Sequence, residues 1–119
     1  MNRAIEVTRE KDFVLVTARG KHTVGQGRES LRQIAETAAV DGRLLLDVRE
    51  ASSFLSLTDV RALVEEFAEL GLGAGRKTAI VSSADRFDNV HFFAVSARSM
   101  GLDVQAFSSF DEAREWLTS

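Results

Sequence analysis

Residues 44–48 read Leu-Leu-Leu-Asp-Val, and that short run constrains the fold more than any other feature. A strand with one face in water alternates apolar and polar residues. A short, near-continuous apolar run instead suits a central strand covered on both faces. Such a strand needs helices to cover it. Leu31, Ile34, Ala35 and Ala38 fall at i, i+3, i+4 and i+7, the spacing of one amphipathic helical face, and Asp41-Gly42 marks its end. Val60, Leu63, Val64 and Phe67 repeat the pattern. Ser56 with Asp59 three residues on predicts the N-cap of that second helix, and Gly71 its stop. A third helix carries Val90, Phe93, Ala94 and Ala97, with Asp85 as its expected cap and Gly101 as its close. Ser109 and Glu112 have capping-box spacing for a last helix, in which Ala113, Trp116 and Leu117 share a face.

Strands are read between these helices. Ile5 and Val7 alternate with Glu6 and Thr8, and Phe13 to Ala18 forms a more buried strand. Glu10-Lys11-Asp12 between them suits a tight turn, so the first two strands are expected to be antiparallel. Thr78 to Val81 and Val104 to Phe107 complete the set. The order is ββαβαβαβα. It predicts an α/β fold with a single mixed, mostly parallel five-stranded sheet and helices packed on it. At 119 residues the chain is expected to be one domain, residues 1–119. About twenty large apolar side chains on inner faces, at ~1.5–3 kcal/mol each, suffice for an autonomous core.

Composition removes several functions. Cysteine is absent, which leaves no disulfide, thiolate metal site or cysteine nucleophile. Lys and Arg total 15 against 18 Asp and Glu, a net charge of −3, whereas a nucleic-acid binder is usually basic. No stretch approaches the ~20 apolar residues of a membrane span. The first ten residues lack the apolar centre of a signal peptide, so a cytoplasmic location is expected.

Several motifs imitate chemistry. Gly71-Leu72-Gly73-Ala74-Gly75-Arg76-Lys77-Thr78 superficially resembles a phosphate-binding loop. That loop needs glycine immediately before the lysine and lies between strand and helix. Here Arg76 holds the glycine's place and the order is helix then strand, so a plain connection is expected. Gly25-Gln26-Gly27, with Asp47 further on, lacks the third glycine of a dinucleotide fingerprint and reads as a helix-entry loop. His22 and His91 are the only histidines, and no spacing brings them together.

The serine-rich connections are more informative. Ser52, Ser53, Ser56 and Thr58 are expected after the third strand, Ser82 and Ser83 after the fourth, and Ser108 and Ser109 after the fifth. Ligands in open α/β sheets bind outside the carboxyl ends of parallel strands. Turn formation and capping account for the same residues structurally. No histidine or carboxylate is spaced to activate a serine as a nucleophile. Phe92 and Val95 lie opposite the apolar stripe of the third helix, which makes them either extra cover or the candidate face of a homodimer.

The whole chain, over roughly residues 4–118, resembles the STAS or SpoIIAA-like family, the fold of bacterial anti-sigma-factor antagonists. Four stretches carry the resemblance: Val14 to Gly20, Arg43-Leu44-Leu45-Leu46-Asp47-Val48, Gly75 to Val81, and Gly101-Leu102-Asp103 with Phe107, Ser109, Asp111-Glu112-Ala113 and Leu117. Trp116-Leu117 after Glu112-Ala113 is similar to the ending of an uncharacterised SpoIIAA-like branch. The resemblance implies a non-enzymatic fold. In the antagonists it also implies a phosphorylated serine within Asp-Ser-Ser-Gly after the third strand. The corresponding stretch here is Leu55-Ser56-Leu57-Thr58. It lacks the aspartate and glycine, and Leu57 occupies the phosphoserine position.

The expected function is a non-catalytic protein-interaction module with a regulatory role. It would act on a protein partner through Ser52, Ser53, Ser56 and Thr58, as partner contacts or phosphoacceptors. The alternative is a carrier for a small apolar molecule or lipid, with Phe54, Leu55 and Leu57 at a pocket mouth. No cofactor, metal or nucleic acid is expected.

Overall fold

The computed structural model describes residues 4–37, 43–52 and 55–119. Its five strands are β1 (Ala4–Arg9), β2 (Phe13–Lys21), β3 (Arg43–Ser52), β4 (Thr78–Val81) and β5 (Val104–Phe107). The helices are α1 (Val24–Thr37), α2 (Leu57–Glu69), α3 (Phe87–Ser99) and α4 (Phe110–Thr118), with a 3₁₀ turn at Ala84–Arg86 before α3. The expected order ββαβαβαβα and the mixed sheet are both present. β1 pairs antiparallel with β2, with Val7 opposite Val16, and the remaining pairs are parallel.

The strands lie in the order β1-β2-β3-β4-β5. Each parallel crossover therefore steps the same way across the sheet. Crossovers of this kind are right-handed, so all three helices must land on one face. They do: Leu31 and Ile34 of α1, Val60, Val64 and Phe67 of α2, and Ala94 and Ala97 of α3 pack in one cluster with Val14, Val16, Leu44, Leu46, Ile80 and Val104. The opposite face is covered, among the described residues, by α4, where Ala113 and Leu117 meet Leu45, Ala79 and Val81, with Phe13, Leu15, Phe107 and Trp116 around them. Leu44 and Leu46 point to one layer and Leu45 to the other, and all three are buried. The unbroken Leu-Leu-Leu run has this double cover as its cause.

Three expectations need correction. β3 continues to Ser52, so Ser52 ends the strand rather than following it. Pairing of Arg19, Gly20 and Lys21 with Glu50, Ala51 and Ser52 extends both strands past a bulge near Val48 and Arg49. Asp85 does not cap α3: it lies inside the 3₁₀ turn, and the cap position Arg86 makes no side-chain bond. Gly25 and Gly27 lie inside α1 rather than in a loop before it. Phe92 is half-buried against the main core. Ala38 and Asp41-Gly42 lie outside the described residues.

The glycine-rich stretch is the expected helix-to-strand connection. Gly71, Gly73 and Gly75 all have positive φ, at 79°, 78° and 73°, a conformation that costs little only for glycine. At Gly73 space is restricted as well: a Cβ there would meet Phe67 Cε2 at 2.8 Å.

Candidate functional site: an apolar cavity at the carboxyl ends of the parallel strands

A cavity of about 320 Å³ opens on the three-helix face of the sheet. Val16, Leu46 and Ile80 form its floor, and Leu31, Ile34, Val60, Leu63, Val90 and Phe93 from the three helices form its walls. Small residues keep it open. Ala18, Gly27, Ser30 and Ala51 line it where larger side chains would fill the space. The β3 bulge contributes too, since the extra residue lets both Val48 and Ala51 face the cavity. The volume falls in the ordinary range of small-molecule sites, about 300–1,000 Å³. Its position outside the carboxyl ends of β2, β3 and β4 is where open α/β sheets bind ligands.

The rim is polar. His22, Thr23, Ser52, Ser82, Asp85, Arg86, Asp88 and Asn89 line it. Much of this polarity is committed to local structure. Thr23 Oγ1 accepts from the Gln26 amide at 3.2 Å, and Gln26 Oε1 accepts from the Thr23 amide at 2.9 Å, which closes a capping box on α1. Ser56 and Asp59 form the equivalent box on α2, with both bonds at 3.1 Å. Ser82 is 1% exposed, and its hydroxyl donates to the Ser83 carbonyl at 3.0 Å. Ser83 Oγ accepts from Arg86 at 3.3 Å. A hydrogen bond from Ser83, then one from its own backbone amide, holds the Asp85 carboxyl below its ordinary value, so it stays ionised.

The sequence-derived candidates distribute as follows. Ser52 and Leu55 line the cavity. Ser53 and Phe54 lie outside the described residues. Ser56 is the cap of α2. Leu57 is 58% exposed and is not among the lining residues, and Thr58 is exposed at the start of α2. Val95 is 43% exposed on α3. His22 reaches the rim, where its Nε2 lies 3.2 Å from the Arg19 carbonyl and so acts as the donor nitrogen. His91 does not line the cavity and stacks on Phe87 with ring centres 5.5 Å apart. Among the described residues no group of three or more His, Asp or Glu could hold a metal ion, and no helix is long and apolar enough to cross a membrane.

The cavity escapes sequence reasoning because its lining comes from three helices and four strands. One local signal was present: Thr23-Val24-Gly25-Gln26 fits the S/T-x-x-E/Q signature of a helix start and places the α1 terminus at the rim.

Comparison with known proteins agrees with this architecture. The SpoIIAA-like family model matches residues 13–118; the chain belongs to the SpoIIAA-like family. An uncharacterised protein with a SpoIIAA-like fold from Shewanella loihica superposes with a TM-score of 0.62 at 20% identity, over 98% of this chain and 95% of that one. An anti-sigma factor antagonist from Mycobacterium paratuberculosis superposes with a TM-score of 0.69 at 14% identity, over 98% and 95% of the two chains. At these identities the two structures establish the shared fold. A search of curated proteins finds no match.

Proposed function

We propose that this chain is a non-catalytic binding domain that takes a small, largely apolar molecule in the cavity between the sheet and α1, α2 and α3. The observation that carries the reading is the cavity itself. It holds about 320 Å³ of space walled by aliphatic and aromatic side chains, at the place where this sheet topology favours ligands. Burial of an apolar ligand would supply about 25 cal/mol per Å² removed from water, before association costs. A non-catalytic role is supported by the use of the hydroxyls: those of Thr23, Ser56 and Ser82 already serve capping and backbone bonds. The test is the fluorescence of N-phenylnaphthylamine, an uncharged apolar dye. The wild type is expected to bind and brighten it. Ala51→Phe, which fills the cavity, should abolish the signal while leaving the circular dichroism unchanged. No brightening by the wild type would overturn the reading.

A second reading is a regulatory protein-interaction module acting through the β3–α2 connection. It is supported by the exposed pair Leu57 and Thr58 and by the fold shared with an anti-sigma factor antagonist. Leu57→Asp with Thr58→Ala should then lose a partner that co-purifies with the wild type from the native host. Equal recovery with both chains would remove this site.

A further inference from the structure

The starts of α1 and of the 3₁₀ turn and α3 lie on the cavity rim, with α2 beginning just after the lining residue Leu55, and an anion would ordinarily be welcome there, because free amides and helix dipoles favour negative charge. In this chain two of these starts are closed from within. The α1 terminus is closed by Thr23 and Gln26. The α2 terminus is closed by Ser56 and by the carboxylate of Asp59. The 3₁₀ turn and α3 have no side-chain cap; their first turns carry Asp85, whose carboxyl accepts from its own backbone amide, and Asp88. Among the described residues, the acidic and basic side chains that line the rim are two carboxylates, Asp85 and Asp88, and one guanidinium, Arg86. That leaves one net negative charge.

The buried polar atom next to the apolar space points the same way. Ser82 lines the cavity at 1% exposure, and its hydroxyl proton is spent on the Ser83 carbonyl. What its oxygen offers a ligand is therefore acceptor capacity. Asp85 and Asp88 are acceptors only. A carboxylate or phosphate head placed here would face two carboxylates against the single guanidinium of Arg86, whose Nη1 already donates to Ser83 Oγ at 3.3 Å. An alcohol or a protonated amine would find partners.

Resting on the binding role proposed above, we propose that the cavity takes an amphiphile whose polar end donates hydrogen bonds, an alcohol or an amine, and that the rim rejects the anionic analogue of the same chain length. The cavity volume of 320 Å³ equals about ten water volumes of ~30 Å³. It suits a chain of roughly ten carbons.

The experiment compares decanol, decylamine and decanoate, titrated into the ¹⁵N-labelled full chain at about pH 8, where an ordinary imidazole is neutral. Amide shifts at Ala51, Leu55 and Val90 report the cavity. Decanol or decylamine should bind at least about tenfold tighter than decanoate, a modest demand for a carboxylate brought within ~4 Å of another. Tighter binding of decylamine than decanol would assign the selectivity to rim charge. The reverse order would assign it to Ser82 and the apolar walls. Either order supports the proposal. Decanoate binding as tightly as the other two would overturn it while leaving the binding role intact. No shift with any of the three would overturn both. Asp85→Asn with Asp88→Asn, surface changes that spare the core, should bring decanoate within about threefold of decanol. An unaltered preference in that variant would also sink the assignment.

Discussion

Lys77 Nζ lies 2.9 Å from the carbonyl oxygen of Trp116 and 5.0 Å from the centre of its indole ring. The side chain thus ties the start of β4 to the last turn of α4. A cation near a helix C-terminus meets unpaired carbonyls and the negative end of the dipole. Trp116 is the only tryptophan, so its emission reports this contact. Lys77→Met should cost about 1 kcal/mol in urea unfolding and change the emission spectrum of the folded protein. An unchanged midpoint would show that α4 is held by its apolar contacts and not by Lys77.

Thr78, the next residue, is fully buried, and its Oγ1 has no hydrogen-bond partner among the described residues. A buried hydroxyl without a partner pays its desolvation and gains nothing. Thr78→Val keeps the branched shape and should raise stability by about 1 kcal/mol. A lower melting temperature would reveal a bond to that oxygen.

Gly73 and Gly75 share a positive φ, 78° and 73°, but differ in surroundings. A Cβ at Gly75 meets nothing within 4 Å, while one at Gly73 collides with the ring of Phe67, which is fully buried. Both alanine variants should lose about 1 kcal/mol to backbone strain. Gly73→Ala should lose a further ~1–3 kcal/mol to overpacking. Equal melting temperatures for the two variants would contradict this.

Glu66 of α2 is buried to 9% exposure and pairs with two arginines of α1, Arg32 at 3.1 Å and Arg28 at 3.5 Å. The arginine side chains are about half exposed, at 47% and 55%, so water takes them back if the carboxylate goes. A buried carboxylate stripped of both cations has no such relief. Arg28→Met with Arg32→Met should therefore cost more, about 3 kcal/mol, than Glu66→Gln at about 1 kcal/mol. Calorimetry of the two variants checks the order.

Asp47 gives a pH signature. Burial pushes its carboxyl up, but hydrogen bonds from Arg49, at 2.7 Å and 2.9 Å, and that residue's charge outweigh burial and hold it below the ordinary value. A depressed folded-state value adds stability above the unfolded carboxylate range, near pH 4, and loses it as pH falls through the folded value. The wild type should thus lose more stability between about pH 5 and pH 2 than Asp47→Asn does. Parallel pH profiles would remove Asp47 from the acid response.

Much of this architecture was legible because burial leaves periodic traces. The stripe Val60, Leu63, Val64 and Phe67 located α2, and Ser56 with Asp59 located its first residue within the observed boundary. The length of β3 was not legible. Arg49 and Glu50 look like a loop in sequence, and only pairing with β2 makes them strand. The start of α1 was missed because its apolar stripe begins at Leu31, well past Val24. The cavity was hidden for a different reason: Ala18, Gly27 and Ala51 define it by what they lack, and missing volume leaves no pattern.

The sequential strand order has one more consequence, for how the chain is made. Synthesis releases β1 first and β5 last, and each strand after the first pairs with the one released just before it. No strand has to insert between two that already exist, and none waits with an open edge for a distant stretch still inside the ribosome. The sheet can lengthen one strand at a time at a single growing edge while translation proceeds, with each new crossover helix closing over apolar surface that its predecessor left exposed.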